Sequence, residues 1–251
     1  MPKLLLVICF VSTFLIANAF AFRGTVKVCG VEWPPFTYNK NGKLTKGISI
    51  AIYTEAFKRM NMTLDADTIP WARCLDAVKE GQYMAVIDNA ALPPFIFGKH
   101  PTGIYPLAIY TRENYPLSIF SWRAMWGKPV GMVRGYDYTP KIKRFRRWQP
   151  DYSDSDEQAL QKLNAHRYDF VVMDIFAAPL LASKLKINIK RLTPMVDGTY
   201  LYLVFNKKHQ RLLQEYDKKI KQMIEDGTID NIYLDHINMT YSELMSLMPD
   251  N

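Results

Sequence analysis

Val26-Lys27-Val28-Cys29-Gly30-Val31, followed by Glu32-Trp33-Pro34-Pro35-Phe36, opens the stretch that decides the fold. The first six residues form a short β-rich run. From Ile48 to Met60, the residues Ile48, Ala51, Ile52, Ala56 and Met60 recur at helical spacing. Thr63 to Ile69 alternates as a strand. Ala72 to Lys79 reads as a helix, begun after Pro70-Trp71 and stopped at Gly81. Tyr83 to Ile87 supplies a third strand. Strand-helix-strand-helix-strand predicts a parallel sheet with right-handed crossovers.

The same alternation restarts further on. Lys128–Val133 reads as a strand, and Pro140–Trp148 as a helix with Thr139 as cap and Pro140 in its first turn. Asp156–Asn164 is a helix with Asp154 and Glu157 spaced as a capping box. Tyr168–Asp174 is a strand and Phe176–Lys184 a helix. After the strand Tyr200–Phe205 comes a long amphipathic helix, Gln210–Asp226, stopped by Gly227, then a shorter one at Ile229–Leu234. Two α/β units follow, each a mostly parallel sheet flanked by helices. Extended strands near 106–114 and 200–208 join them as hinges. The reading assigns residues 22–110 and 206–251 to lobe 1 and 111–205 to lobe 2, with a cleft between.

Met1 to Ala21 reads as a secretory signal peptide. Lys3 gives a positive start, Leu4–Ile16 an apolar run too short to span a bilayer, and Ala19-Phe20-Ala21 a small-x-small site with cleavage after Ala21. Export to the periplasm follows. At 49% hydrophobic and 22% charged the remainder is an ordinary globular chain. Losing Lys3 lowers the net charge from +8 to +7, a basicity that fits anionic ligands or anionic membrane surfaces and that solubility alone also explains. The basic run Lys141–Trp148 has helical spacing and reads as a solvated face, not a nucleic-acid surface. In an oxidising compartment Cys29 and Cys74 are either one disulfide or two buried thiols.

In open α/β sheets ligands bind beyond the carboxyl ends of the strands. That rule selects Glu32 and Trp33 after the first strand and Trp71 and Arg73 after the second. It selects Asp88, Asn89 and Ala90 after the third. Arg134, Gly135, Tyr136 and Asp137 follow a strand of the second unit, and Asp174 ends another. The candidate ligand-binding set is Glu32, Trp33, Trp71, Arg73, Asn89, Arg134, Tyr136 and Asp174. Aromatic rings suit an apolar portion, carboxylates an ammonium, and guanidinium groups or backbone amides an anion. No Ser-His pairing, metal-ligand spacing or phosphate loop is present, so no catalytic residue, metal or cofactor is assigned.

These segments resemble the bacterial extracellular solute-binding proteins of family 3, the periplasmic amino-acid-binding type. The resemblance rests on residues 28–36, on Asn41-Gly42-Lys43 leading to Gly47-Ile48, and on Pro70-Trp71-Ala72-Arg73-Cys74-Leu75. It continues through residues 128–135, Arg167–Asp174 and Glu225-Asp226-Gly227-Thr228-Ile229, in order along nearly the whole chain. It implies a monomeric two-lobed clamp that closes by hinge motion on a small polar solute, an amino acid or related amine or acid. An inner-membrane ABC-type permease is the implied partner. By this resemblance Asp174 takes a ligand ammonium, Trp33 and Trp71 stack on the ligand, and Tyr136 stands where a carboxylate-binding Thr is frequent. The stretch Ala90–His100 lacks the Arg with which family members clamp a carboxylate. Two other functions fit the scaffold. One is an exported enzyme of the cyclohexadienyl-dehydratase type, with Glu32, Asp174 or Asp137 as its acid or base. The other is a stand-alone ligand-sensing module.

Overall fold

A computed structural model describes residues 23–134, 136 and 138–248. The signal sequence and its cleavage site lie outside the described residues. Lobe 1 begins with β1 (Gly24–Gly30), the hairpin β2 (Tyr38–Lys40) and β3 (Lys43–Lys46), α1 (Ile48–Lys58), β4 (Met62–Thr68), α2 (Trp71–Glu80) and β5 (Ala85–Ala90). Then come the long β6 (Gly103–Arg112), β7 (Pro129–Val133), α3 (Pro140–Arg144), β8 (Gln149–Ser153) and α4 (Asp156–Asn164). The chain continues through β9 (Phe170–Asp174), α5 (Ala177–Leu185), β10 (Ile189–Arg191) and β11 (Asp197–Phe205). It ends with α6 (Gln210–Glu225), α7 (Thr228–Ile237) and α8 (Tyr241–Ser246).

The expected two-lobed α/β architecture is present. β1 lies parallel between β4 and β5, and β7 parallel between β8 and β9. The hinge strands β6 and β11 run antiparallel to each other and join both halves into one ladder, β2-β3-β4-β1-β5-β11-β6-β9-β7-β8, with β10 on β6. Period-2 alternation sorts each strand between two cores. In β9, Phe170 and Val172 face one apolar cluster while Val171 and Met173 face the other. In β5, Ala85 and Ile87 point to the main lobe 1 core and Val86 to the smaller one around Cys29, Cys74 and Val78. The C-terminal helices return to lobe 1: Leu212, Leu213, Tyr216, Ile220 and Met223 of α6 and Tyr233 of α7 join its core. The Tyr233 hydroxyl donates to the Thr102 carbonyl at 2.7 Å.

Packing changes sides between Ile104 and Leu107 on β6, and between Val196, just before β11, and Leu203 within it.

Local differences have physical causes. The helix read over Pro140–Trp148 stops at Arg144, because Phe145 turns extended and Trp148 is drawn into the core, leading into β8. Thr139 caps α3 as expected, accepting from the Ile142 amide. The cap of α4 is Ser155, which accepts from Gln158 N, rather than Asp154. A true capping box occurs at Thr240 and Glu243, and it gives the tail a short helix. Asn41 (φ 54°) and Gly42 (φ 82°) form the tight turn of the β2–β3 hairpin.

Candidate functional site

The loop after β1 carries Trp33 on a framework of backbone bonds. The Trp33 amide donates to Thr37 Oγ1 at 2.9 Å, and that hydroxyl donates to the Val31 carbonyl at 2.8 Å. The first amides of α1 hold the other side of the loop: Ile48 N donates to Pro35 O at 3.2 Å and Ser49 N to Phe36 O at 3.0 Å. Gly47 is required for this approach. Its φ is +109°, and a Cβ there would lie 2.3 Å from the Phe36 carbonyl oxygen. The Trp33 ring stacks on Phe36 at 4.2 Å and meets Tyr105 edge-on at 5.6 Å.

Trp71 is the first residue of α2 and is partly exposed. Three residues later Cys74 is bonded to Cys29 at the end of β1, with a Cα–Cα distance of 5.7 Å. The disulfide therefore ties the first turn of the Trp71 helix to the loop that carries Trp33. The alternative of two buried thiols is not what the structure holds.

Trp33 and Trp71 form one wall of a cavity of about 320 Å³ between the lobes, with Glu32, Asp88, Asn89 and Ala90. Tyr105, Thr199 and Leu201 of the hinge strands form its floor, and Tyr136, Asp156, Asp174 and Ala177 of lobe 2 face them. Thus Glu32, Trp33, Trp71, Asn89, Tyr136 and Asp174 share one cleft. Glu32 Oε1 accepts from the Asn39 amide at 3.1 Å, and Asn89 Oδ1 accepts from Ala90 N at 2.9 Å.

Asp174 ends β9 and is 4% exposed. Its Oδ1 accepts from the Phe176 and Ala177 amides at 2.9 and 2.7 Å, capping α5. Its Oδ2 is buried and has no partner. One oxygen of this side chain is thus committed to its helix and the other has no partner. Burial is the dominant influence on this carboxyl and pushes it up to about 7. The two amides act in the opposite sense, and the nearby Asp156 adds to the rise.

Asp156 accepts a hydrogen bond from the Tyr136 hydroxyl. Burial raises its carboxyl and that hydrogen bond opposes the rise. Asp88 is turned into lobe 1, where Tyr53 Oη donates to its Oδ1 at 2.6 Å. Burial raises Asp88 to about 6, while the neighbouring Ser49 and Tyr53 side chains favour the ionised form. Among the described residues no group of three or more His, Cys, Asp or Glu side chains is arranged to hold a metal.

The model of the bacterial extracellular solute-binding proteins, family 3, matches residues 26–239. The chain belongs to that family. No curated protein sequence matches it significantly. Among solved structures, it is similar to a probable amino-acid ABC transporter extracellular-binding protein, ytmK of Bacillus subtilis. That match has a TM-score of 0.72 and 20% identity, covering 85% of this chain and 97% of the other. It is similar to the L-cystine solute receptor of Neisseria gonorrhoeae in its unliganded open conformation, with TM-score 0.65, 19% identity and coverage of 87% and 94%. A histidine kinase sensor domain with similarity to periplasmic binding proteins gives TM-score 0.70, 17% identity and coverage of 86% and 97%. These likenesses establish the shared fold. Among the described residues no helix is long and apolar enough to cross a membrane.

Two candidates stand outside the cleft of this family 3 protein. Arg73 is exposed on α2 and does not line the cavity. Arg134 turns to Asp154 at 3.3 Å, with both side chains largely exposed, and lies over the Tyr152 ring. Among the lining residues that escaped the sequence-based set are Tyr105, Thr199 and Asp156. Tyr105 and Thr199 belong to hinge strands, which the strand-end rule does not sample. Asp156 follows β8, and recognising that strand would have placed residues 154–156 at a carboxyl end.

Proposed function

We propose that this family 3 protein is a monomeric periplasmic receptor that takes up a small polar solute in the interlobe cleft. It then presents the solute to an inner-membrane ABC-type permease. The observation that carries the reading is Asp174: a carboxylate residue of an aromatic-lined cavity, held by its helix through one oxygen, with the other oxygen buried and unpartnered. Trp33 and Trp71 supply rings to an apolar portion of the solute, Asn89 and Tyr136 supply polar contacts, and Glu32 stands at the rim. The lobes rotate about β6 and β11 to enclose it. Further support comes from relatives of the same fold described as an amino-acid ABC transporter's binding protein and as an L-cystine receptor.

A thermal-shift screen of the chain lacking residues 1–21, against amino acids, amines and small organic acids, tests the reading. A bound solute raises the melting temperature by mass action, by an amount that grows with its concentration above Kd. Silence across the whole library would refute capture of a small polar solute. Turnover of a hit would instead assign the cleft to an enzyme with Asp174 as its acid.

A further inference from the structure

We infer that the cleft selects an organic cation carrying an ammonium or guanidinium group and no carboxylate, so that its ligand is an amine rather than an α-amino acid. This rests on the reading of the cavity as a solute site and names the class of solute.

The first observation is the charge of the lining. Glu32, Asp156 and Asp174 contribute three carboxyl groups, with Asp88 beside them turned into lobe 1, and no Lys, Arg or His is among the described lining residues. Gly135 and Asp137, beside Tyr136, bring no cation by their chemistry. Lys141 and Arg144 line a different groove, which shares only Ala90 and Thr199 with the cleft. A ligand carboxylate enclosed here would meet like charge without a counter-ion, which is strongly unfavourable in a partly desolvated site.

The second observation is independent of composition. Asp174 lines the cavity and is 4% exposed, yet its Oδ2 is buried without a hydrogen-bond partner. An unpartnered carboxylate oxygen is costly, and a ligand N–H supplies the missing donor. Trp33, Trp71 and Tyr105 line the same cavity, and an aromatic ring face turned to a ligand favours a cation over an anion.

The test uses two matched pairs that differ only by the carboxylate: cadaverine against L-lysine, and agmatine against L-arginine, by isothermal titration calorimetry. The inference expects the decarboxylated member of at least one pair to bind at least tenfold more tightly than its amino acid. It expects Asp174→Asn to weaken that amine at least tenfold while circular dichroism and melting temperature report a folded protein. Equal or tighter binding of the amino acids overturns the inference and leaves the solute-receptor reading standing. In that event loss of amino-acid binding in Arg73→Ala would identify the missing counter-ion. Silence of both pairs, with binding of an uncharged or acidic solute in the wider screen, also overturns it. Silence of every solute overturns the receptor reading itself.

Discussion

The two walls of the cleft are built by different means. The lobe 1 wall is held by the main chain and one covalent bond: Trp33 by its amide and by the α1 amides on its loop, Trp71 by the disulfide three residues away. The lobe 2 wall is held by side chains. Tyr136 rests on Asp156, and Asp174 keeps one oxygen on α5 and leaves the other uncommitted. The lobe 1 wall is thus fixed mainly by main-chain and covalent bonds, and the lobe 2 wall by how Asp156 and Asp174 are held.

The sharpest way to break this contrast is to cut the bond that fixes the first wall. Replacing Cys29 and Cys74 together by Ser should lower unfolding free energy by ~2–4 kcal/mol, since the bridge closes a long loop in the unfolded chain. Denaturant melts of oxidised, reduced and doubly substituted protein measure this. Indistinguishable midpoints would show that the core around Val78, Val86, Phe95 and Val204 holds α2 unaided.

Next in size is a pH effect confined to the second wall. The folded Asp174 carboxyl sits at about 7, above its unfolded value, so the unliganded native state keeps a proton that the unfolded chain has shed. The stability of the empty protein from this group is greatest below about pH 4 and declines as pH rises through about pH 7. Between about pH 5 and about pH 7 the loss is ~2–3 kcal/mol. Asp174→Asn removes the titration, so the stability of wild type minus that of the variant should fall across this window in urea melts. A flat difference would show the carboxyl to be ionised throughout. Asp88, raised to about 6 in lobe 1, contributes the same slope to both proteins and cancels.

The smallest effect concerns a residue that belongs to neither wall. Arg134→Ala breaks an ion pair whose side chains are 68% and 78% exposed and a contact over the Tyr152 ring. It should change stability by less than about 0.5 kcal/mol and leave ligand affinity unchanged. A tenfold loss of affinity would mean that the lobe 2 wall extends further than the cavity does.

The sequence made legible whatever followed from periodicity and strand ends. The parallel units, the long helix α6 and the convergence of Trp33, Trp71 and Asp174 all rest on apolar spacing and one topological rule. What escaped had weak or competing local signals. The apolar Phe145 and Trp148 prolonged the apparent helix and hid β8, and Asp156 was hidden with it. The short β10 and the hairpin strands β2 and β3 have too few buried positions to show alternation. Arg73 and Arg134 follow strands as the rule demands, but the rule places a backbone and does not say which way a long side chain turns.

The ladder has one further consequence. β11 is hydrogen-bonded to β5 along one stretch and to β6 along another, and its pairing with β5 slips between Tyr202 and Val204. Sliding one lobe away from the other would unzip these bonds, whereas twisting about the strands keeps them. The irregular step near Tyr202 is a natural place for that torsion to concentrate. The jaw is then free to swing but not to shift, so a molecule caught between its faces sets an angle rather than a gap. Anything docking on the outer rim would read molecular size as a rotation.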